Sequence, residues 1–171
     1  MPDPPSSVTE IQSCAFYHAT YLETVDFTES AVEYIGDNAF GNCQTLSSVD
    51  LPETLTSVGV SVFLDCYGMK SAKLPASLSV IGEAMFSECT SLESVVLPNG
   101  IKEIGAYAFY MNKKLNISSL PESVEKIGDY ALASSGLTEF TVDKNVKLFF
   151  KVLGTYSECH SLIGEVYTEQ E

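Results

Sequence analysis

Apolar residues recur along the 171-residue chain with one fixed period, and the most regular of them are aromatic. Successive members of this series are 23 or 24 residues apart along the whole chain. The series consists of Phe16, Phe40, Phe63, Phe86, Phe109, Leu132 and Tyr156. A period in this range indicates a stack of repeated structural units, because one such unit buries its apolar side only against its neighbours.

Other positions keep the same phase within each unit. A glycine preceded by a branched apolar residue stands four residues before the aromatic position in five consecutive units, at Gly36, Gly59, Gly82, Gly105 and Gly128. A leucine-containing segment follows the aromatic position and ends on an apolar residue, and a proline follows it at Pro52, Pro75, Pro98 and Pro121. Every unit therefore predicts the same series of local structures.

The alternating V-x-L segment predicts a short strand with one buried face, and the proline after it ends that strand. The [IV]-G pair predicts a second extended segment whose glycine is free to take positive φ, and A-F-x-x-C predicts one helical or 3₁₀ turn. Strands of successive units then pair in parallel ~4.8 Å apart. We predict an α/β, β-rich, right-handed solenoid of about seven coils with a parallel sheet and short helical or 3₁₀ turns. It forms one domain over residues 1–171, with coils at about 5–27, 28–51, 52–74, 75–97, 98–120, 121–142 and 143–167.

The unit reads L-x-x-V-x-L-P-x-x-L-x-x-V-G-x-x-x-F-x-x-C. This pattern resembles leucine-rich repeat proteins, and specifically their BspA-like class, over about residues 5–167. The resemblance implies a leucine-rich-repeat solenoid and a cell-surface or secreted protein that attaches to host or matrix proteins. It supplies no catalytic residue and no cofactor.

The charge of the chain narrows the range of partners. There are 23 acidic and 9 basic residues, which give a formal net charge of -14. This charge repels phosphate backbones and anionic membrane surfaces, so nucleic acid is not an expected partner. No stretch approaches the roughly 20 apolar residues that span a bilayer, and residues 1–12 lack the pattern of a secretion signal. We expect no membrane insertion, and a cytoplasmic location is the alternative to the cell surface.

The five cysteines follow the repeat. Cys43, Cys66, Cys89 and Cys159 stand three residues after the aromatic position, and Cys14 stands two before its own. This phase predicts small, buried, reduced thiols that line one corner of the stack. A zinc site would need convergent ligands, whereas stacked coils place these sulfur atoms in a line. A strained disulfide between adjacent coils is the other alternative, but the odd cysteine count argues against a disulfide framework.

The histidines and carboxylates do not suggest catalysis. His18 and His160 belong to the first and last coils, ~29 Å apart at the spacing of paired strands, and both are expected to be solvated. The carboxylates are scattered over variable positions, and no calcium-binding loop pattern occurs among them. We therefore predict no enzyme activity, no cofactor and no metal.

The strand segments also predict a candidate binding surface. Residues between the buried positions of each strand face outward and form one strip shared by the coils. The strip consists of Thr24, Asp26, Ser48, Asp50, Ser71, Lys73, Ser94, Val96, Ile117, Ser119, Glu139 and Thr141. Val96 and Ile117 are its most apolar residues and the best local candidates for contact. Alternatively, its serines and threonines only keep the sheet soluble and flat.

Tyrosines outside the aromatic series predict a second, convex surface. They are Tyr17, Tyr21, Tyr34, Tyr67, Tyr107, Tyr110 and Tyr130, and Tyr107 and Tyr130 have the same phase on successive coils. The leading functional hypothesis is a non-catalytic protein-binding or adhesion module. The alternative is a structural spacer or an intracellular scaffold segment of a longer repeat protein. Unpaired edge strands also suggest end-to-end self-association.

Overall fold

Short parallel strands recur at the period of the sequence. The computed structural model describes residues 7–117 and 119–136, together with the backbone of residues 147–148. Its strands are β1 (Glu10–Ile11), β2 (Tyr34–Ile35), β3 (Ser48–Asp50), β4 (Ser57–Val58), β5 (Ser71–Lys73), β6 (Val80–Ile81), β7 (Ser94–Val96), β8 (Glu103–Ile104), β9 (Lys126–Ile127) and β10 (Lys147–Leu148).

The strands lie on two sides of a solenoid. The two-residue strands pair in the orders β1-β2-β4 and β6-β8-β9-β10, and the three-residue strands pair separately as β3-β5-β7. All of these pairs are parallel, with Ser48 opposite Ser71 and Ser71 opposite Ser94. The predicted parallel solenoid is therefore confirmed. Within the described residues the structure has about five complete coils, against the seven predicted for the whole chain.

The aromatic series forms the centre of the core. Phe40, Phe63, Phe86 and Phe109 are fully buried. From Phe16 to Phe109, successive rings stack with their centroids 5.0–5.7 Å apart and their planes within 11° of parallel. Leu46, Met69 and Leu92 follow the aromatic position at a common phase and are also fully buried. The repeat period therefore places like residues above one another, as the sequence predicts.

The segment around each aromatic residue takes a different form from the expected helical turn. Within the described residues, no helix is assigned. Alternate amides instead donate within and between coils: the Ala39 N–H donates to the Gly36 carbonyl at 3.2 Å, and the Phe40 N–H donates to the Val62 carbonyl of the next coil at 2.9 Å. Because every second amide of this segment bonds to the neighbouring coil, the backbone hydrogen bonding between coils continues around this corner of the solenoid.

Two residues per coil have left-handed backbone, and neither is the repeated glycine. They lie two residues before and two after the aromatic position, as Cys14, His18, Asn38, Asn42, Ser61, Asp65, Ala84, Glu88, Tyr107, Met111, Tyr130 and Ser134. The expectation of positive φ at the repeated glycines is wrong. A Cβ on Gly105 would lie 2.7 Å from the Glu83 backbone nitrogen. Glycine is required here because adjacent backbones approach too closely for a side chain.

Candidate functional site

The exposed side of β3, β5 and β7 is the candidate site, which we call the sheet face. Val49 and Ala72 point inward and are buried, whereas Ser48, Asp50, Lys73 and Ser94 on the same strands are exposed and Ser71 is half-buried. Thr24, Asp26 and Ser119 extend this exposed strip on the coils to either side. The alternation predicted from the sequence is confirmed for these three strands.

Two charged groups of the sheet face oppose each other. Asp50 on β3 is in register with Lys73 on β5, and the Asp50 Oδ1 lies 3.2 Å from the Lys73 Nζ. Both side chains are more than half exposed. An exposed ion pair of this kind contributes about 0–1 kcal/mol to stability. The pair therefore orients two charges on the surface with little effect on the stack.

Asp26 is oriented by hydrogen bonds within its own loop, whereas Asp50 pairs with a residue of the next coil. Its Oδ1 accepts hydrogen bonds from the Thr28 backbone N–H at 2.8 Å and from the Thr28 hydroxyl at 2.5 Å. These two hydrogen bonds lower the pKa of the Asp26 carboxyl group, with the hydroxyl having the larger effect. Asp26 therefore carries a fixed negative charge at the amino-terminal end of the sheet face.

Val96 is the apolar centre of the sheet face. Its side chain is 58% exposed, although every other outward residue of β3, β5 and β7 is polar. An open cleft of about 940 Å³ runs beside it and is lined in part by Val95, Leu97, Leu120 and Pro121. The cleft is also lined by polar residues, among them Asn99, Asn116 and Ser119, and most of its exposed surface is polar. The local apolar character of the sheet face therefore comes from Val96.

Ile117 lines this cleft, and the sequence analysis predicted its orientation incorrectly. Ile117 was predicted to face outward, and this is wrong, because its side chain is only 6% exposed. At the phase filled by Val49, Ala72 and Val95, the next coil has Ser118. Burial of Ile117 is favoured because a serine gains little there from leaving water. A serine at a position that is apolar in the preceding coils was the sequence signal for this difference. Glu139 and Thr141 lie outside the described residues.

The buried cysteines are structural groups. Cys43, Cys66 and Cys89 are fully buried, free thiols, and Cys14 is free and exposed. Each buried thiol donates to the carbonyl of an aromatic-series residue in the preceding coil, as Cys66 Sγ does to Phe40 at 3.2 Å. Burial raises the pKa of Cys66 to about 12 and raises the pKa values of Cys43 and Cys89. Since a reactive thiol needs a lowered pKa, these groups are chemically inert. Cys159 lies outside the described residues.

Asn112 replaces the cysteine on the next coil. Its Nδ2 donates to the Phe86 carbonyl at 2.9 Å, which repeats the contact made by each buried thiol. The sequence analysis did not identify this substitution, although Asn112 stands three residues after Phe109 and so has the cysteine phase. Asn112 therefore makes the same polar contact between coils as the cysteines do, with a different side chain.

The remaining candidate chemistry does not converge in the described part of the chain. His18 is exposed, as predicted, and His160 lies outside the described residues. No group of three or more metal-ligating side chains occurs among the residues described. In the same residues, no helix is long and apolar enough to cross a membrane.

The fold and the exposed face define a class of protein: a parallel solenoid of leucine-rich units. The family described as BspA type leucine rich repeat region matches residues 3–116 and 33–163, with six copies. The chain belongs to this family. No curated protein matches the chain.

Solved structures of bacterial repeat proteins share the fold. A leucine rich repeat protein of T. pallidum is 32% identical, with a TM-score of 0.76 over 93% of this chain and 76% of that one. A leucine-rich repeat protein of Bacteroides ovatus is 28% identical, with a TM-score of 0.64 over 85% of this chain. A leucine rich cell surface protein of Faecalibacterium prausnitzii shares the fold at 22% identity and a TM-score of 0.60, covering 97% of this chain. This chain spans 44% of the Bacteroides protein and 38% of the Faecalibacterium protein.

Proposed function

We propose that this chain is a non-catalytic protein-binding module that acts at the cell surface and contacts a host or matrix protein through its sheet face. The observation that carries the proposal is the exposure of Val96 beside the cleft. More than half of the Val96 side chain is in water, where apolar surface is unfavourable, so a partner that covered it would gain binding free energy. The surrounding serines and the Asp50–Lys73 pair supply a polar rim, as protein interfaces do.

The proposal is tested by binding to a panel of immobilised extracellular-matrix proteins, measured by biolayer interferometry. The test variant replaces three sheet-face residues together, Asp50→Ser, Lys73→Ser and Val96→Ser. The control variant removes one acidic, one basic and one valine side chain from the opposite, two-residue strands or beside them: Glu10→Ser, Lys102→Ser and Val80→Ser. These three control residues are also exposed.

We expect the sheet-face variant to weaken binding at least tenfold and the control variant to weaken it less than twofold. Loss of about 1.4 kcal/mol of binding free energy corresponds to that tenfold change. Equal losses in both variants, or no binding of the unaltered protein to any member of the panel, would refute the assignment of the sheet face.

A structural spacer is the second candidate function. It is favoured by one observation, that this chain spans less than half of the Bacteroides and Faecalibacterium proteins. A spacer sets the distance between other parts of a protein, so its outward residues are replaceable. If the longer protein binds its partner equally well after all three sheet-face substitutions, the spacer assignment is supported.

A further inference from the structure

The corner that carries the aromatic series presents a second surface with an unusual charge distribution. We call it the turn face, and it comprises residues 13–18, 37–42, 60–65, 83–88, 106–111 and 129–134. Its charged side chains are all carboxylates: Asp37, Asp65, Glu83, Glu88 and Asp129. The lysines of residues 7–136 all lie elsewhere, at Lys70, Lys73, Lys102, Lys113, Lys114 and Lys126. The turn face is therefore uniformly acidic, whereas both strand sides carry charges of both signs.

Exposed aromatic rings lie on the same surface. Tyr107 stacks on Tyr130 of the next coil, with ring centroids 5.2 Å apart and planes 16° from parallel. Tyr110 meets Tyr107 nearly at a right angle, with the centroids 5.5 Å apart. Tyr107 nevertheless remains 38% exposed. On the preceding coil the phase of Tyr107 belongs to Ala84, so the tyrosine ridge begins beside a small residue.

The acidic coil lies directly against this ridge. The Ala84 N–H donates to the Ala106 carbonyl at 2.8 Å, and the Glu88 N–H donates to the Tyr110 carbonyl at 2.8 Å. These two backbone bonds hold Glu83, Ala84 and Glu88 on the coil adjacent to Tyr107 and Tyr110. Residues that carry carboxylates and residues that carry aromatic rings therefore lie on directly paired coils of the turn face.

A similar arrangement borders the turn face one coil earlier. The Tyr67 hydroxyl donates to the Asp65 Oδ1 at 3.1 Å. This hydrogen bond raises the pKa of Tyr67, and the charges of Asp65 and Glu88 add to the effect. Asp65 and Glu88 lie on adjacent coils, so negative charge extends over at least two coils of the turn face.

We propose that the turn face docks a cationic segment of a partner polypeptide, with arginine or lysine side chains against Tyr107 and paired with Glu83 and Glu88. A cation is attracted to the face of a tyrosine ring within ~6 Å of its centroid. Arginine suits the site best, because its planar guanidinium group stacks on aromatic rings and pairs with carboxylates. The ion pairs found in the described part of the chain, Lys73–Asp50 and Lys126–Glu103, do not involve Glu83 or Glu88. This surface is separate from the sheet face, and its role does not depend on the proposed function.

The test uses two labelled peptides of twelve residues, one alternating arginine with glycine and the other alternating lysine with glycine. Binding is measured by fluorescence anisotropy at about 0.15 M ionic strength, where distant charges are screened. The test variant combines Tyr107→Ser, Glu83→Gln and Glu88→Gln. The matched control combines Tyr21→Ser, Glu29→Gln and Glu125→Gln, which removes the same side-chain types and the same charge from exposed positions outside the turn face.

We expect the arginine peptide to bind more tightly than the lysine peptide, and the test variant to weaken arginine-peptide binding at least fivefold. The control variant is expected to weaken it less than twofold. The variant with only Glu83→Gln and Glu88→Gln leaves the Tyr107–Tyr130 stack intact, so it gives a result even if the triple variant is unstable. Equal weakening by test and control variants would show only diffuse attraction to the net charge and would overturn the proposal, as would no binding by the unaltered protein.

The sheet-face variant with Asp50→Ser, Lys73→Ser and Val96→Ser separates the two assignments. We expect it to bind the arginine peptide within twofold of the unaltered protein. A larger loss would mean that the peptide binds at the sheet face, and it would overturn the turn-face proposal. The matrix-binding experiment would still test the sheet-face proposal independently.

Discussion

The turn face and the sheet face belong to the same coils but differ in regularity. At each step from the turn of residues 13–18 to that of residues 129–134, three backbone hydrogen bonds connect adjacent turns, as Phe63 to Met85 and Phe86 to Ala108 illustrate. On the sheet side, the described residues contain the three paired strands β3, β5 and β7, and the next coil contributes a single bridge residue, Ser119.

This difference indicates which side holds the stack together. The turn side combines ring stacking, buried polar contacts between coils and backbone pairing, so a change there affects both neighbouring coils. The outward residues of the sheet side contact water, so a change among them affects few neighbouring groups. Stability should therefore depend mainly on the turn side and recognition on exposed positions of either face.

The largest expected effect is the truncation of a stacked ring. Phe63→Ala removes a fully buried side chain between Phe40 and Phe86, and we expect it to lower the free energy of unfolding by about 3–5 kcal/mol. The paired substitution Asp50→Ser and Lys73→Ser is the comparison, with an expected loss of about 0–1 kcal/mol. Urea denaturation followed by circular dichroism measures both. Similar losses would contradict the division between the two sides.

A smaller effect is expected where the coils approach most closely. Gly105→Ala places a Cβ 2.7 Å from the Glu83 backbone nitrogen, and overpacking of this kind costs about 1–3 kcal/mol. Gly100→Ala is the control, because Gly100 is exposed on the sheet side and its Cβ would lie 3.1 Å from the nearest atom, the Ala76 carbonyl oxygen. Thermal unfolding should show a clearly larger decrease in Tm for Gly105→Ala. The reverse order would disprove our explanation of the repeated glycine.

The buried thiols predict a decrease in stability at alkaline pH. In the folded state the pKa of Cys66 is about 12, whereas an unfolded thiol titrates near ~8.5. The contribution of this thiol to the free energy of unfolding is complete below pH ~8.5. It is lost as pH rises towards the folded pKa, because in that range only the unfolded state releases the proton. The loss is about 1.4 kcal/mol per pH unit.

Denaturation series from pH 7 to 10.5 test this dependence. Cys66→Ala should make the decrease in the free energy of unfolding above pH ~8.5 shallower by about 1.4 kcal/mol per pH unit. Cys14→Ala, which alters an exposed thiol, should leave the slope unchanged. An unchanged slope in Cys66→Ala would show that this thiol ionises in the folded protein.

The smallest effect is a gain in stability at a left-handed residue. Glu88 has φ of 58°, a conformation that is strained for residues with a side chain and free of strain for glycine. We expect Glu88→Gly to raise the free energy of unfolding by about 0.5–1 kcal/mol, since relief of strain exceeds the entropic cost of glycine. Glu93→Gly, at an exposed position without positive φ, should be destabilising. A loss at both positions would mean that the Glu88 side chain stabilises the turn.

Periodicity alone was sufficient to predict the solenoid, the parallel strands and the buried aromatic and cysteine series. These features depend on identical residues meeting at each coil, so the period determines their contacts. The stack of Tyr107 on Tyr130 has the same origin, because the two residues share a phase. For the same reason, the Asp50–Lys73 pair occurs between residues of equal phase on adjacent coils.

The features that could not be predicted depend on backbone geometry within a coil. The left-handed pairs on either side of each aromatic position have no common residue type, since Asn38, Ala84 and Tyr107 share one phase. The burial of Ile117 departs from the phase of Ser48 and Ser94, which are exposed, so the repeat could not predict it. The cleft beside Val96 is partly lined by Ile117 and was not visible in the sequence either.

The backbone hydrogen bonds of the turn face also have a common direction. Cys14, Phe16 and His18 all donate towards the next coil, and their counterparts on later coils do the same. Their peptide dipoles therefore add along the solenoid axis, as they do along a helix, rather than cancelling as in most sheets. Partial negative charge accumulates towards the first coil and partial positive charge towards the later ones. Two such stacks would attract when aligned head to tail and repel when aligned head to head.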